Sequence, residues 1–546
     1  MKNKIKYILA GFLLVMTSSC TDWLNPKPIN NMVLDDYWKK QSDVESVVRA
    51  CYRAMAEPGF MERIILGGEL RSDNVIIDMD RLHSTQEQAD INDMTIKPTN
   101  GLLPWKDFYN VINLCNTVLE YAPQVTKLDP DYSSGFLRAH EAEVRTLRAL
   151  AYFYLVRIYR DVPYIDFAYS EDTQPFNVPK MDGDSILNRQ VEELLIAEKY
   201  ALKSWGYGTS TQREQNKGRV TKNMVRALLA DIYLWLGKYD ECIDACNRII
   251  PDILSEKDVL NPDLATGAEL RLLSNETLIT NSFLQLFYSG NSMESIFELQ
   301  FSTQAPNPKV KDFFGDDQNV GKLAASKVVA DIFKEQANLK DLRGKTSFTQ
   351  DNLSTGNKKG FFQIFKYIGS DYSESATSGG SWRIIPMDPF VRNWIFYRVP
   401  DVYLMKAEAL VERNQGSDLS DAMDLVNLTY MRSNPGGVRL YASDYPDKDK
   451  MRDLVLLERQ REFLFEGKRW FDLVRLARRE DKETGNHSKM LDLVAKKYDF
   501  NGEVVKSKMR DPYALYLPIA EKELIANQVL EQNPYYKSEF TTTKNK

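Results

Sequence analysis

Apolar residues along this chain recur at steps of three and four, the period that lines one face of an α-helix. Val44, Val47, Val48, Cys51, Tyr52 and Met55 form the first such stripe, and Ser42-Asp43-Val44-Glu45 stands ahead of it with capping-box spacing. Phe108, Tyr109, Ile112, Cys115 and Leu119 form a second within Trp105 to Tyr121. Val144, Leu147, Ala151, Tyr154, Leu155 and Ile158 form a third within Glu141 to Tyr159. Asp161-Val162-Pro163 ends it, because a proline disfavours helix at the residue before it. Thr221 to Trp235 and Tyr239 to Ile250 then read as a helix pair, closed by Gly237 and followed by Pro251. Leu229, Ala230, Tyr233, Gly237, Tyr239 and Cys242 have the spacing of a tetratricopeptide unit: small residues let the helices approach and aromatics fill the seam. Val402 to Leu410 with Ala422 to Met431 repeats the arrangement, and Glu141 to Tyr159 is expected to pair with Ile186 to Leu202. Several such pairs predict a mainly α fold, a helical superhelix.

From about residue 252 to 395 the pattern changes. Pro, Gly, Asn, Ser and Asp are frequent, and β-like runs interrupt them at Ser295 to Phe301 and Phe361 to Ile368. This reads as a loop-rich half with short strands, packed on the superhelix. Long loops in a compact protein tend to carry function.

The N-terminus differs from both. Lys2, Lys4 and Lys6 precede a short apolar stretch, Tyr7 to Met16, too short to span a bilayer as a helix. Thr17-Ser18-Ser19-Cys20 then resembles a bacterial lipobox. The expected organisation is a signal peptide at 1–19, a tether at 20–40 lipidated on Cys20, and a single body at 41–546. Helix pairs are expected within about 105–250 and 395–435. The alternative is an ordinary secretory peptide in which Cys20 is incidental.

Composition narrows the function. The chain has 71 Lys and Arg against 77 Asp and Glu, so no basic excess offers itself to nucleic acid. Cys51, Cys115, Cys242 and Cys246 show neither metal spacing nor a disulfide framework and read as small core residues. The three His, at 83, 140 and 487, are far apart. No HExxH, GxSxG or Walker A pattern is present, and Gly206-Tyr207-Gly208 lacks the rest of a dinucleotide fingerprint. Asp182-Gly183-Asp184-Ser185 reads as a helix cap at Asp184 or Ser185 rather than a calcium loop. Glu458 to Asp472 alternates in sign and reads as a helix laced by ion pairs at three- and four-residue spacing, rather than an anion site. Nothing in these residues demands an enzyme, a cofactor or a metal.

Taken in order, several segments resemble the SusD/RagB outer-membrane lipoproteins of Bacteroidetes over nearly the whole chain. They are the lipobox with Trp23-Leu24-Asn25-Pro26; Arg71-Ser72-Asp73-Asn74; Trp105 to Asn116; Ala142 to Pro163; and Gly218 to Thr221. They continue with Glu294 to Glu298, Arg398 to Ala409, Glu458 to Asp472, Leu517-Pro518-Ile519 and Gln532-Asn533-Pro534. The resemblance implies a body of about four tetratricopeptide-like pairs with an irregular ligand-bearing half. The family's C-terminal segment would cover about 270–546. It also implies a non-catalytic cell-surface protein that passes oligosaccharides, or peptides in some branches, to a SusC-like TonB-dependent barrel. A surface-anchored glycoside hydrolase is the alternative from another class.

Carbohydrate sites need flat aromatic faces for the C–H face of a sugar and planar polar groups for its hydroxyls. In the family the ligand surface often draws on the loop after the Arg-x-Asp-Asn segment and on loops of the irregular half. By that resemblance the candidates are Asp73, Asn74 and Arg81 in the first region, and Tyr288, Trp382 and Arg383 in the second. Trp382 follows Ser378-Gly379-Gly380-Ser381 and is the foremost of these; Trp205 and Tyr207 form a reserve platform.

Overall fold

The computed structural model describes residues 37–170, 174–206, 208–255, 284–316, 320–334, 341–349, 360–368, 370–373, 381–384, 391–434 and 437–537. Cys20, the signal peptide expected at 1–19 and Tyr207 lie outside the described residues.

The helical stripes become α1 (Gln41–Ala56), α2 (Pro58–Glu69), α3 (Lys106–Leu128), α4 (Ser134–Tyr159), α5 (Gly183–Tyr200) and α6 (Ser210–Gly218). They continue as α7 (Lys222–Leu236), α8 (Tyr239–Ser255), α9 (Val399–Arg413), α10 (Asp418–Ser433), α11 (Lys448–Glu462) and α12 (Arg469–Thr484). Two caps differ from expectation. The Asp43 carboxylate accepts from the backbone N–H groups of Lys39 at 3.1 Å and Lys40 at 2.8 Å, so Asp43 rather than the Ser42–Glu45 box closes the first turn of α1. Asp182, not Asp184 or Ser185, caps α5, accepting the Ser185 N–H at 3.0 Å. Gly237 adopts φ +74° after α7, and Lys238 N–H reaches back to the Tyr233 carbonyl, the left-handed closure the turn requires. Pro251 does not end α8; the helix runs past it to Ser255.

Successive helices stack: α1 on α3, α3 on α4, α4 on α5, α5 on α7, α7 on α8, α8 on α9, and α9 on both α10 and α11. The chain is therefore mainly helical, with its largest apolar cluster running through all of these seams. Ala230, Cys242 and Cys246 are buried there, and the described cysteines are all free thiols. Burial pushes the Cys242 thiol well above its ordinary pKa, as expected of an inert core residue.

Short strands tie the irregular half to the rest: β1 (Val75–Ile76), behind α2, and then β2 (Ser295–Leu299), β3 (Ala324–Ala325), β4 (Ser370–Ser373), β5 (Ser381–Ile384) and β6 (Trp394–Arg398). β1 pairs with β3, β2 with β6 and β4 with β5, all antiparallel. Phe361 to Ile368 gives isolated bridges only, Phe362 to Ala325 and Ile364 to Phe348. β2 sets Ser295 opposite Arg398 and Leu299 opposite Trp394, and β6 runs without a break into α9. That junction joins the irregular half to the superhelix.

The segment 458–472 is not one helix. Phe465 and Gly467 take φ +62° and +70°, so a tight turn separates α11 from α12. Most of its ion pairs also leave the segment. Glu458 binds Arg343 at 2.7 Å, Glu462 binds Arg398 at 2.6 Å, Lys468 binds Asp401 at 2.6 Å and Arg469 binds Asp73 at 2.7 Å. Apart from the partly buried Lys468 these charges are buried, so the structural reading holds, but as an internal clamp across two helices rather than one helix laced within itself.

Candidate functional site

The strand pair β1–β3 positions the loop at 77–84. Ser326, just after β3, donates its N–H to the Asn74 carbonyl at 2.9 Å and fixes where β1 begins. Asp78 then organises the loop: its Oδ1 accepts the backbone N–H groups of Asp80 at 3.1 Å and Arg81 at 2.9 Å. Its Oδ2 accepts the Arg81 Nε–H at 3.1 Å. Leu82 is buried with Ala324 and Phe361, and the Ser84 hydroxyl donates to the Lys322 carbonyl at 2.9 Å. The loop is thus tied at both ends. Arg81 sits over the Phe361 ring, its guanidinium carbon 4.1 Å from the centroid, with its side chain half exposed. Met79 and His83 are exposed on the same loop. A planar donor held on an aromatic floor suits the adjacent hydroxyls of a sugar.

Helix α6 gathers a second group. Arg213 Nε–H donates to the Asn291 carbonyl at 3.0 Å and Lys217 Nζ to the Ser295 carbonyl at 2.6 Å, so α6 joins the loop carrying Trp205 to the segment carrying Tyr288. Tyr288 is half buried, and the Arg392 guanidinium lies 3.6 Å from its ring centroid. Gly290 and Asn291 follow with φ +70° and +54°. Asn291 and Gln300 exchange two side-chain hydrogen bonds, each 2.9 Å. Glu298 beneath them is fully buried, and burial raises its pKa. Trp205 donates its Nε1–H to the Val220 carbonyl at 3.1 Å, while Arg219 covers one ring face at 3.5 Å. Arg219 is held by Glu143 at 2.6 Å and Glu45 at 3.1 Å. Each aromatic therefore has one face occupied by an arginine.

Asp73 and Asn74 do not belong to a surface. Both are fully buried. The Asp73 carboxylate accepts from Arg469 Nε at 2.7 Å, Arg469 Nη2 at 2.8 Å and Gln460 Nε2 at 3.2 Å. Asn74 donates to Glu69 at 3.2 Å and accepts from Gln460 at 3.0 Å. Their polar atoms are spent on tying the segment after α2 to α11 and α12, so they position the Arg81 loop and do not contact a ligand. Trp382 and Arg383 lie on β5, paired with Tyr372 and Asp371 of β4, rather than in a loop; their side chains lie outside what the structure describes.

Asn291, Gln300 and Phe361 were not among the sequence candidates. Gly290-Asn291 is a turn signal that marks the first of these, but the amide pair it forms is visible only in three dimensions. Among the described residues no cluster of His, Cys, Asp and Glu could hold a metal ion.

Two family models match the chain: one for the SusD family over residues 332–536, and one described as starch-binding, associating with the outer membrane, over residues 22–234. A SusD-like protein of Formosa agariphila is 24% identical over 494 residues, covering 87% of this chain and 90% of its own. A crystal structure of a SusD superfamily protein from Bacteroides thetaiotaomicron superposes with a TM-score of 0.66 at 24% identity, covering 92% of this chain and 99% of that one. A structure described as a laminarin-binding SusD-like protein superposes with a TM-score of 0.64 at 20% identity, covering 91% of this chain and 100% of that one.

Proposed function

Given that the chain belongs to the SusD/RagB family, we propose that it is a cell-surface glycan-binding lipoprotein that captures oligosaccharides and delivers them to a SusC-like TonB-dependent barrel. In this reading Cys20 carries the lipid that anchors the body to the outer membrane, facing the exterior. No helix among the described residues is long and apolar enough to cross a membrane. One acyl chain alone holds a protein only marginally, so the anchor carries more than one.

The observation that carries the glycan reading is Arg81, held by Asp78 over the Phe361 ring. The arrangement binds and orients; its work is hydrogen bonding and stacking. A linear oligosaccharide would lie with hydroxyl groups against the guanidinium edge. Trp382 is a candidate stacking surface for its ring faces. The Asn291–Gln300 pair, with Trp205 and Tyr288 near it, offers planar polar groups of the same kind at a second position.

The test is calorimetric titration of the full chain in detergent with a panel of oligosaccharides, β-1,3-glucan fragments included, and of peptides of matched length. Binding of at least one glycan, weakened about tenfold or more by Arg81→Ala, is expected. Binding of peptides and of no glycan would move the reading to peptide uptake. Release of new reducing ends from a bound glycan would replace it with a hydrolase.

A further inference from the structure

The first residue of the Arg71-Ser72-Asp73-Asn74 motif takes no part in the site above. Arg71 is 2% exposed, and its environment differs from that of five other buried arginines. Arg343, Arg398, Arg459, Arg469 and Arg475 each hold a carboxylate at 2.6 to 2.8 Å. Arg71 Nη1 donates to a carbonyl, that of Leu515, at 2.9 Å, and its guanidinium stacks over Trp470 at 4.3 Å. Its Nη2 is buried and has no hydrogen-bond partner among the described residues. Tyr159, Tyr498, Tyr516 and Tyr536 are among the groups facing it, all neutral at ordinary pH. Lys497, a second buried amine close by, donates to the Leu70 carbonyl and Asn92 Oδ1, both at 2.8 Å, and also feels the carboxylates of Asp73, Asp93 and Glu69. Among the described residues no carboxylate is in direct contact with Arg71 itself, and burying a charge without a partner is strongly unfavourable.

Arg71 lines a cavity of about 20 Å³ between α2 and the C-terminal end of α4. One water needs roughly 10–15 Å³ of such space, so the cavity has room for a single small ion. Its walls are mainly apolar, Leu66, Ile91, Ile158 and Leu517 among them. The other polar groups on its wall are engaged elsewhere: Glu62 with Lys309 at 2.9 Å, Arg63 with Asp107 at 2.9 Å and the Tyr159 hydroxyl with the Leu103 carbonyl at 2.6 Å. We propose that this cavity is a binding site for a small monovalent anion, chloride, which accepts the Arg71 Nη2–H and supplies the missing counter-charge. A sulfate or a sugar acid is too large for the space.

Bromide replaces chloride and scatters anomalously, which gives a direct test on the unaltered full chain. Crystals grown in sodium bromide and measured at the bromine edge should show an anomalous peak within hydrogen-bond distance of Arg71 Nη2. Density for a water there with no anomalous signal would overturn the proposal. In solution, replacing gluconate by chloride at constant ionic strength should raise the melting temperature by about 2 °C. Arg71→Met should abolish that increment; an increment of the same size in the variant would overturn the assignment to Arg71. If Arg71→Met does not fold, the bromide result decides.

Discussion

Arg398 and Glu466 share two hydrogen bonds, Nε to Oε2 at 2.9 Å and Nη2 to Oε1 at 2.8 Å, across 68 residues of sequence. The pair joins the last residue of β6 to the turn between α11 and α12. Glu462 and Glu294 complete the ring around the guanidinium at 2.6 and 2.8 Å. All four side chains are buried, so the arginine is the common counter-ion of three carboxylates that water does not reach.

Removing it takes the shared cation from those carboxylates and leaves Glu466 to Lys366, Glu462 to Arg343 and Arg432, and Glu294 to Arg432. Arg398→Met should destabilise the fold by about 3–5 kcal/mol, the usual effect of breaking a buried charge pair from one side. Urea denaturation followed by circular dichroism measures it. A midpoint within error of the parent would mean the ring is not a structural clamp.

Glu69 and Lys497 give the fold an unusual dependence on pH. Burial pushes the Glu69 carboxyl up to about 7 and the Lys497 ammonium down to about 7. Glu69, raised from about 4.3, contributes stability that is complete below that pH and lost as pH rises through about 7. Lys497, lowered from about 10.4, contributes stability that is complete above that pH and lost as pH falls through about 7. Glu69→Gln should therefore flatten the fall between about pH 4 and 7, and Lys497→Met the rise between about 7 and 10. Denaturation midpoints across that range compare each variant with the parent, and identical profiles would refute the assignment.

Gly68 packs against backbone rather than a side chain. A Cβ there would lie 1.9 Å from the Gly467 carbonyl oxygen, a clash no rotamer relieves. Gly68→Ala should lower stability by at least about 1–3 kcal/mol, the range of overpacking penalties. An unchanged melting temperature would show that α2 can move away from the turn freely.

Trp382→Ala should weaken oligosaccharide binding about tenfold or more while leaving the circular dichroism spectrum unchanged. Base–aromatic and sugar–aromatic stacking alike depend on a free ring face, and truncating one removes roughly 1–3 kcal/mol in the measured nucleic-acid cases. Trp205→Ala should act differently: with Arg219 on one face and Val220 on its Nε1–H, its loss should lower stability as well as affinity. Full affinity in a folded Trp382→Ala variant would transfer the stacking role to Trp205 and Tyr207.

Cys20→Ala should release the chain from the outer membrane or leave it unprocessed, read by fractionation. Pull-down of the unaltered chain from native outer membranes in mild detergent should recover a large barrel protein. Wild-type fractionation of the variant would reject the anchor. Recovery of the chain alone would count against the transporter partnership.

The helices were legible because their signal is local. The stripe in α4 and the Leu229-to-Cys242 spacing of α7 and α8 are set by the residues each helix must bury. Two helix starts were misplaced by a residue or more because several acceptors stood at suitable spacing, and only three-dimensional geometry selects Asp43 and Asp182. The 458–472 segment shows a deeper limit. Its charges fit pairs three and four apart, yet Glu458 is matched to Arg343 and Arg469 to Asp73, partners that periodicity cannot point to. The same limit misplaced Asp73 and Asn74: polar residues after a helix look available in sequence, and burial among distant partners is what excludes them. Arg81 remained a surface residue because the Asp78 turn that presents it is itself local.

Asp73 meets Arg469 across 396 residues, and Arg71 meets the Leu515 carbonyl across 444. A chain made from its N-terminus can zip adjacent helix pairs together early, and α2 and the loop behind it can reach α3 and β3 before the rest is made, but Asp73 and Arg71 have no Arg469 and no Leu515 carbonyl to bind until the last fifth has been synthesised. Stacked helical repeats ordinarily tolerate losing an end, since each unit leans on its neighbours alone. Here the end is the fastener for the beginning, so a premature stop codon late in the reading frame should be far more damaging than the loss of an end is to an ordinary repeat stack.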